Sequence, residues 1–250
     1  MSGADLVPVI FVSSNAESFA AKALTTLAAL PPTLPAWALV GGVAVAVNLN
    51  GFHRPTADLD TVSIDGELAI EVLITSGASR SRNGVTFGST NTLVSLDIID
   101  VSDGDPDHGG FAAHRFALET ATVRELRVTT RDGPILASVA VPVATAAAIV
   151  AMKLQAIEGR KTVRPEKRSG DVSDIVRIVS AFGSPALANT LLETAPENLV
   201  EQTRRACRQY FETDVDRTFR WLRTDNRSQV SEIDRDDLAM VADLVDLLVT

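Results

Sequence analysis

The chain is poor in the residues that build covalent or zinc-based scaffolds. A single cysteine, Cys207, among 250 residues excludes an internal disulfide and fits a reducing compartment. Its three histidines lack zinc-ligand spacing, and one cysteine cannot complete such a site. Cationic excess is missing too: Lys plus Arg number 23 against 32 Asp plus Glu, a formal charge of -9. That balance excludes non-specific wrapping of nucleic acid and confines any such contact to a local basic patch. Long apolar runs are absent. The most apolar stretches, Ala36–Leu49 and Val139–Met152, are about 14 residues each, whereas a spanning helix needs about 20. No basic segment precedes an apolar one at the N-terminus, so no signal peptide is expected. Nor is there a GxSxG, Walker A or GxGxxG run, which leaves hydrolase, P-loop and Rossmann readings without an anchor. These absences predict a soluble, cytoplasmic protein with no membrane partner.

What is present suffices for a core: 46% of residues are hydrophobic, which rules out wholesale disorder. Helical spacing runs from Asn15 to Leu30, with Ser14 or Asn15 as N-cap and Pro31, Pro32 and Pro35 as stop. Trp37–Val40 reads as a buried strand, followed by Gly41-Gly42, a helix over Val43–Leu49 and Gly51 as its close. Asp58–Ile64 reads as a strand, Glu67–Thr75 as a helix, and Val85–Gly88 and Leu93–Val101 as strands. Asp103–Gly110 reads as a polar loop. An EF-hand starting at Asp103 would need Gly and Glu where the chain has His108 and His114. Val123–Thr130 and Ile135–Val141 form a hairpin around Asp132-Gly133.

Beyond Pro142 the pattern turns helical: Ala144–Glu158, a basic loop Arg160–Arg168, a helix Asp171–Phe182, and helix to Thr250. The simplest division is residues 1–141 as an α/β core and 142–250 as a helical domain.

Chemistry concentrates in Leu39-Val40-Gly41-Gly42 and Arg54-Pro55-Thr56-Ala57-Asp58-Leu59-Asp60. Residues two apart on a strand face the same way, so Asp58 and Asp60 present paired carboxylates while Leu59 enters the core. Carboxylates that close repel unless a cation lies between them, and hard oxygen donors suit Mg²⁺. Glycines ahead of a helix start let backbone amides approach a polyphosphate. A third carboxylate comes from Leu93–Val101, where Asp97 and Asp100 face opposite ways, so only one can join; mid-strand Asp97 is favoured.

This arrangement, a glycine pair, then RxTxDxD, then a lone strand Asp, resembles the nucleotidyltransferase superfamily with the polymerase-β-like fold. Within it the chain looks most like the AbiEii/MenT group of toxin nucleotidyltransferases. Val141-Pro142, Ala151-Met152-Lys153-Leu154-Gln155-Ala156, Arg160 and Arg168-Ser169-Gly170-Asp171-Val172-Ser173-Asp174-Ile175 are similar to that group's "VP…KLxAL…R…RDxxDL" segment. The resemblance implies an α+β fold, a mixed sheet with flanking helices followed by a helical C-terminal half. It further implies that Asp58 and Asp60 hold two Mg²⁺ ions, with Asp97 completing the site and helping to deprotonate the attacking hydroxyl. Gly41 and Gly42 would cradle the β- and γ-phosphates of a nucleoside triphosphate and Lys153 would reach them. Asp171 or Asp174 would orient Lys153 or bind the base or ribose side. The acceptor hydroxyl would attack the α-phosphorus in line, releasing pyrophosphate. Arg54 of the RxT run either holds carboxylates or phosphate or caps a turn, and Thr56 belongs with the nucleotide-binding set. The implied acceptor is RNA, the 3′ end of tRNA, and the implied partner an antitoxin. The alternatives are the same chemistry on a small molecule or protein hydroxyl, or a silent relative that binds a nucleotide or partner.

The chain departs from the pattern at Gly42, where the superfamily often has Ser, and at Ser95, where the AbiEii-like group often has Lys. Of two basic clusters, Arg160, Lys161, Arg164, Lys167 and Arg168 lie next to Lys153 and suit RNA or triphosphate. Arg204, Arg205, Arg208, Arg217, Arg220 and Arg223, interleaved with Glu212, Asp214 and Asp216, read as a solvated helix surface.

Overall fold

A computed structural model describes residues 7–13, 17–51, 58–88, 93–102, 109–131, 133–159, 165–223 and 232–249. The chain falls into two compact units, residues 1–103 with 117–144, and residues 104–116 with 145–250.

The first unit is built on one mixed eight-stranded sheet. Its strands are β1 (Val9–Ser13), β2 (Trp37–Val40), β3 (Asp58–Ser63), β4 (Ser79–Arg80), β5 (Gly84–Phe87), β6 (Val94–Asp100), β7 (Thr122–Thr130) and β8 (Ile135–Val143). The spatial order is β1-β7-β8-β2-β3-β6-β5-β4. β3 lies antiparallel to β2 and parallel to β6, so two strands distant in sequence share a central register. Alternation sorts their faces: Leu59 and Leu96 are buried, and Asp58, Asp60 and Asp97 are half-buried.

Helix α1 (Phe19–Ala28) packs on β7 and β8 through Ala21, Leu24 and Leu27. Its N-cap is Ser18, whose hydroxyl accepts from the Ala21 amide at 3.2 Å, rather than the expected Ser14 or Asn15, which lie outside the described residues. Helix α2 (Gly41–Asn48) starts at the glycine pair, two residues earlier than expected, and is buried from Gly42 to Val47. Two glycines and the β-branched valines lower the helix propensity that the alanines supply, so burial on every side rather than intrinsic preference sustains this helix. Asn48 fixes its end by donating to the Ala44 carbonyl at 2.8 Å and the Ala144 carbonyl at 3.1 Å. The left-handed residue that closes it is Asn50 (φ 53°), with the Gly51 amide donating back to Ala46 at 2.8 Å. The expected terminator Gly51 is thus one position late. Helix α3 (Gly66–Thr75) is capped by Asp65, which accepts from the Leu68 amide at 3.0 Å.

Helix α4 (Gly109–Glu119) begins inside the segment expected to be a polar loop, of which residues 103–108 lie outside the described set. The remaining helices belong to the second unit: α5 (Ala146–Gly159), α6 (Pro165–Phe182), α7 (Ser184–Thr194), α8 (Glu197–Cys207), α9 (Val215–Arg223) and α10 (Arg235–Leu247). A π-helical segment, Arg208–Thr213, separates α8 from α9. The core of this unit includes Ile149, Leu154 and Ile157 of α5 and Ile175 and Ile178 of α6, all fully buried. α6 starts at Pro165, so Lys167 and Arg168 are helical and not part of a loop. The architecture is α+β, a mixed sheet with flanking helices followed by a helical C-terminal half. Among the described residues no single helix is long and apolar enough to cross a membrane.

Candidate active site

The register of three strands assembles the carboxylates. Asp60 sits opposite Val40 on β2 and opposite Asp97 on β6, and Asp58 sits opposite Ser95. Parallel pairing at this offset puts Asp60 and Asp97 side by side on one face, about one strand spacing (~4.8 Å) apart. Ligand oxygens of Asp58, Asp60 and Asp97 all lie within 4.8 Å of one another. Three anions that near repel in the absence of a cation. All three donors are hard oxygens, the set a divalent Mg²⁺-like ion accepts, so the residues present fit such an ion.

Around Asp97 the structure adds neighbours that the sequence did not assign to the site. The Asn83 side chain donates to its Oδ2 at 3.5 Å, at the outer limit of a hydrogen bond, and Ser95 Oγ donates to its Oδ1 at 3.3 Å. Buried Thr61 donates to its backbone carbonyl at 3.0 Å, pinning β3 against β6. Gly84 pairs with Asp97 across β5 and β6, where a Cβ would stand 2.2 Å from the Leu96 carbonyl oxygen. Only glycine lets β5 pass that close. The Asn83-Gly84 dipeptide was legible as a turn signal but not as a neighbour of the site.

Asp100 goes elsewhere. It pairs with Ser63, and the Ser102 amide donates to it at 2.8 Å. Partial burial pushes its carboxyl up, but the Ser102 amide and hydroxyl and the amides of Gly66 and Glu67 outweigh that and hold it below 3.8. Its place is the N-terminus of α3.

Gly41 adopts φ +65°, and a Cβ there would lie 2.0 Å from Asp60 Oδ2. The glycine therefore serves two needs, a left-handed backbone and room for a carboxylate. Its partner Gly42 is buried in the first turn of α2. No side chain caps that turn, so its amides are of the kind that helix N-termini offer to anions. Arg54 and Thr56 lie outside the described residues.

In the helical unit Lys153 Nζ is 3.0 Å from Asp171 and 2.6 Å from Asp174. The three are 7%, 7% and 0% exposed, so the lysine does not snorkel to the surface. Asp171 and Asp174 sit one turn apart, beyond the first turn of α6, so the helix dipole does not account for them. They meet the lysine as a unit.

A second polar feature of this unit brings together residues from both basic clusters. Arg168, Arg205 and Arg217 line one hollow with Tyr210 and Trp221. The Arg168 guanidinium lies 4.7 Å and that of Arg217 5.5 Å from the Trp221 ring centroid. Arg205 and Arg217 are exposed on α8 and α9, as the solvated helix surface expected of them, and also line this hollow.

The sequence profile described as "Nucleotidyl transferase AbiEii toxin, Type IV TA system" matches residues 22–249. No curated protein matches the chain. Among solved structures, it is similar to an antigenic nucleotidyltransferase-like protein from Paracoccidioides brasiliensis at 18% identity. That alignment covers 77% of this chain and 94% of the other, with a TM-score of 0.43. It is also similar to the antibiotic-resistance factor ANT(2'')-Ia in solution, at 16% identity over 69% of this chain and 89% of that one, TM-score 0.40. A crystal structure of ANT(2'')-Ia in complex with adenylyl-2''-tobramycin gives 14% identity over 69% and 95%, TM-score 0.39. With the family profile spanning nearly the whole length, the chain belongs to the AbiEii nucleotidyltransferase toxin family and is a nucleotidyltransferase.

Proposed function

We propose that the protein transfers a nucleoside monophosphate from an NTP to the 3′ end of an RNA, a tRNA, in a Mg²⁺-dependent reaction that a partner antitoxin restrains. The observation that carries this reading is the convergence of Asp58, Asp60 and Asp97 within 4.8 Å beside Gly41. In it, all three carboxylates hold divalent ions, with Asp97 also the acceptor of the attacking hydroxyl's proton. A bound Mg²⁺ supplies charge neutralisation at the transferring phosphoryl group. Gly41 keeps the cradle open, and the first amides of α2 receive phosphate oxygens. Asn83 and Ser95 orient the Asp97 carboxylate. Asp171 and Asp174 orient Lys153, which is assigned to offset triphosphate charge as it shifts to the leaving pyrophosphate. Gly42 and, from the RxT run, Arg54 and Thr56 complete the nucleotide-binding set.

The test is incubation with each labelled NTP, Mg²⁺ and total tRNA, in parallel with the Asp58→Asn/Asp60→Asn double variant. Label on tRNA from wild type alone, abolished by chelation, is the expected result. Label appearing only on small molecules or protein would overturn the acceptor; equal labelling by the double variant would overturn the site.

A further inference from the structure

The hollow in the helical unit is lined by none of the residues assigned to the transfer chemistry. Its volume is about 400 Å³, inside the range of about 300–1,000 Å³ typical of ligand pockets. Its guanidiniums come from places far apart in the chain: Arg168 on α6, Arg205 on α8 and Arg217 on α9. They outnumber the carboxylates of Glu158 and Asp214, of which Asp214 pairs with Arg217 at 3.9 Å and accepts from the Gln209 side chain at 2.8 Å. A chain of net charge -9 thus gathers three arginines around one hollow.

Two features preorganise these cations. The Trp221 ring receives both Arg168 and Arg217, and Tyr210 packs on the same ring at 6.0 Å between centroids. A guanidinium stacked on an aromatic face loses rotational freedom, and its planar geometry suits bidentate contact with an oxyanion. The backbone is specialised as well. Gln209 and Tyr210 reach the hollow from the π-helical segment Arg208–Thr213, a rare geometry that recurs at functional sites. Burial, then Glu158, push the Tyr210 phenol up despite Arg217 and Arg168, so it stays a neutral hydroxyl able to donate.

Planar forks, a neutral hydroxyl and an open mouth suit phosphate oxygens along a flexible strand. We infer that this hollow grips the sugar–phosphate backbone of single-stranded RNA, holding the acceptor strand by charge and shape rather than by base identity. The inference rests on the RNA-acceptor reading and deepens it; it does not rest on the carboxylate site.

The experiment measures fluorescence anisotropy of a labelled single-stranded RNA octamer across a salt series. Wild type is compared with Arg205→Gln/Arg217→Gln and with Arg208→Gln/Arg220→Gln, which removes the same charge from residues that do not line the hollow. Loss of two phosphate contacts lowers the log-log salt slope by about 1.4 and the affinity by about tenfold. The control pair changes either by no more than about twofold. Equal effects from the two pairs overturn the inference, since generic electrostatics then suffices. Competition separates the two sources of phosphate: displacement by unlabelled octamer but not by equimolar UTP or inorganic phosphate supports it. Displacement by UTP as effective as by octamer overturns it in favour of a free-nucleotide site. Asp58→Asn/Asp60→Asn protein binds RNA like wild type if the hollow acts independently. Octamer binding that survives while tRNA labelling fails therefore sinks the transfer reading alone, and the reverse sinks this one. Thermal melts exclude unfolding, and Arg205→Lys/Arg217→Lys, which retains charge without the fork, recovers part of the affinity.

Discussion

Gly41→Ala separates a packing role from a catalytic one. The backbone at residue 41 has φ +65°, which costs an L-residue about 1–2 kcal/mol. The added Cβ would lie 2.0 Å from Asp60 Oδ2, 2.6 Å from Cγ and 2.7 Å from Cβ. Ordinary contact begins at 3.4 Å, so the carboxylate oxygen must retreat by the difference from 2.0 Å, about 1.4 Å. That displacement is large against the 4.8 Å within which the three acids converge. A misplacement of about 1 Å at a reacting centre costs on the order of 10²-fold in rate. Gly41→Ala should therefore lose about 1–2 kcal/mol of stability but on the order of 10²-fold in transfer, with Mn²⁺ affinity falling alongside. Urea unfolding gives the first quantity, labelled-NTP transfer the second and Mn²⁺ titration the third. Gly159→Ala, whose Cβ would meet nothing within 4 Å, is the control and should leave transfer and Mn²⁺ affinity unchanged without lowering stability. Wild-type Mn²⁺ affinity and transfer in a folded Gly41→Ala protein would refute the claim that this glycine makes room for a working Asp60.

Three further outcomes follow from buried or hydrogen-bonded charge. Lys153→Met strands two carboxylates in the helical unit and should cost about 3–5 kcal/mol in urea unfolding, whereas a loss under about 1 kcal/mol would show that the trio is solvated. Asp100, held below 3.8, stabilises the native state above that value and loses the contribution as pH falls through its lower folded value. The stability gap between wild type and Asp100→Asn should thus be constant well above 3.8 and narrow as pH falls below it, and a gap that stays constant into that range would contradict it. Burial, then Glu212, push the Cys207 thiol up from 9.0 to about 12, so unfolding releases a proton and stability should decline as pH rises past 9.0. Thiol reagents should label it only in denaturant, and prompt labelling of the native protein would contradict its burial.

The central elements were readable because their residues alternate in character. Trp37–Val40 is a strand with the expected bounds, and Asp58–Ser63 and Val94–Asp100 fall within a residue of theirs at each end. β1 was not readable. It is five residues long, and its partner β7 pairs Val9 with Leu126, a contact no local pattern announces. α4 was hidden by Gly109-Gly110, which argue for a loop when judged alone. The cap of α1 shows a different limit. Several side-chain oxygens precede the helix, and only geometry selects Ser18.

The site divides along the same line. That Asp97 and Asp100 face opposite ways follows from strand parity alone, and the register then sets Asp97 opposite Asp60. That Asn83 and Gly84 lie against Asp97 depends on the β5–β6 register, which the sequence does not encode locally. Lys153 could be placed on a helix, and Asp171 and Asp174 on one face of another, but their meeting belongs to tertiary packing. The hollow is the extreme case, since its arginines come from three different helices, Arg168 from α6, Arg205 from α8 and Arg217 from α9.

Charge ties the two proposals together. A body of net charge -9 repels a polyanion at long range, so RNA cannot be gathered by a diffuse field. Binding must come from a few well-aimed contacts at short range, screened beyond about 10 Å at 0.1 M salt. A grip of about three arginines yields a salt slope near -2, against about -10 for a protein that engages many phosphates. The measured slope is therefore diagnostic. A value near -2 fits a localised clamp, whereas a steep one would mean that arginines outside the hollow, such as Arg208 and Arg220, carry the contact instead.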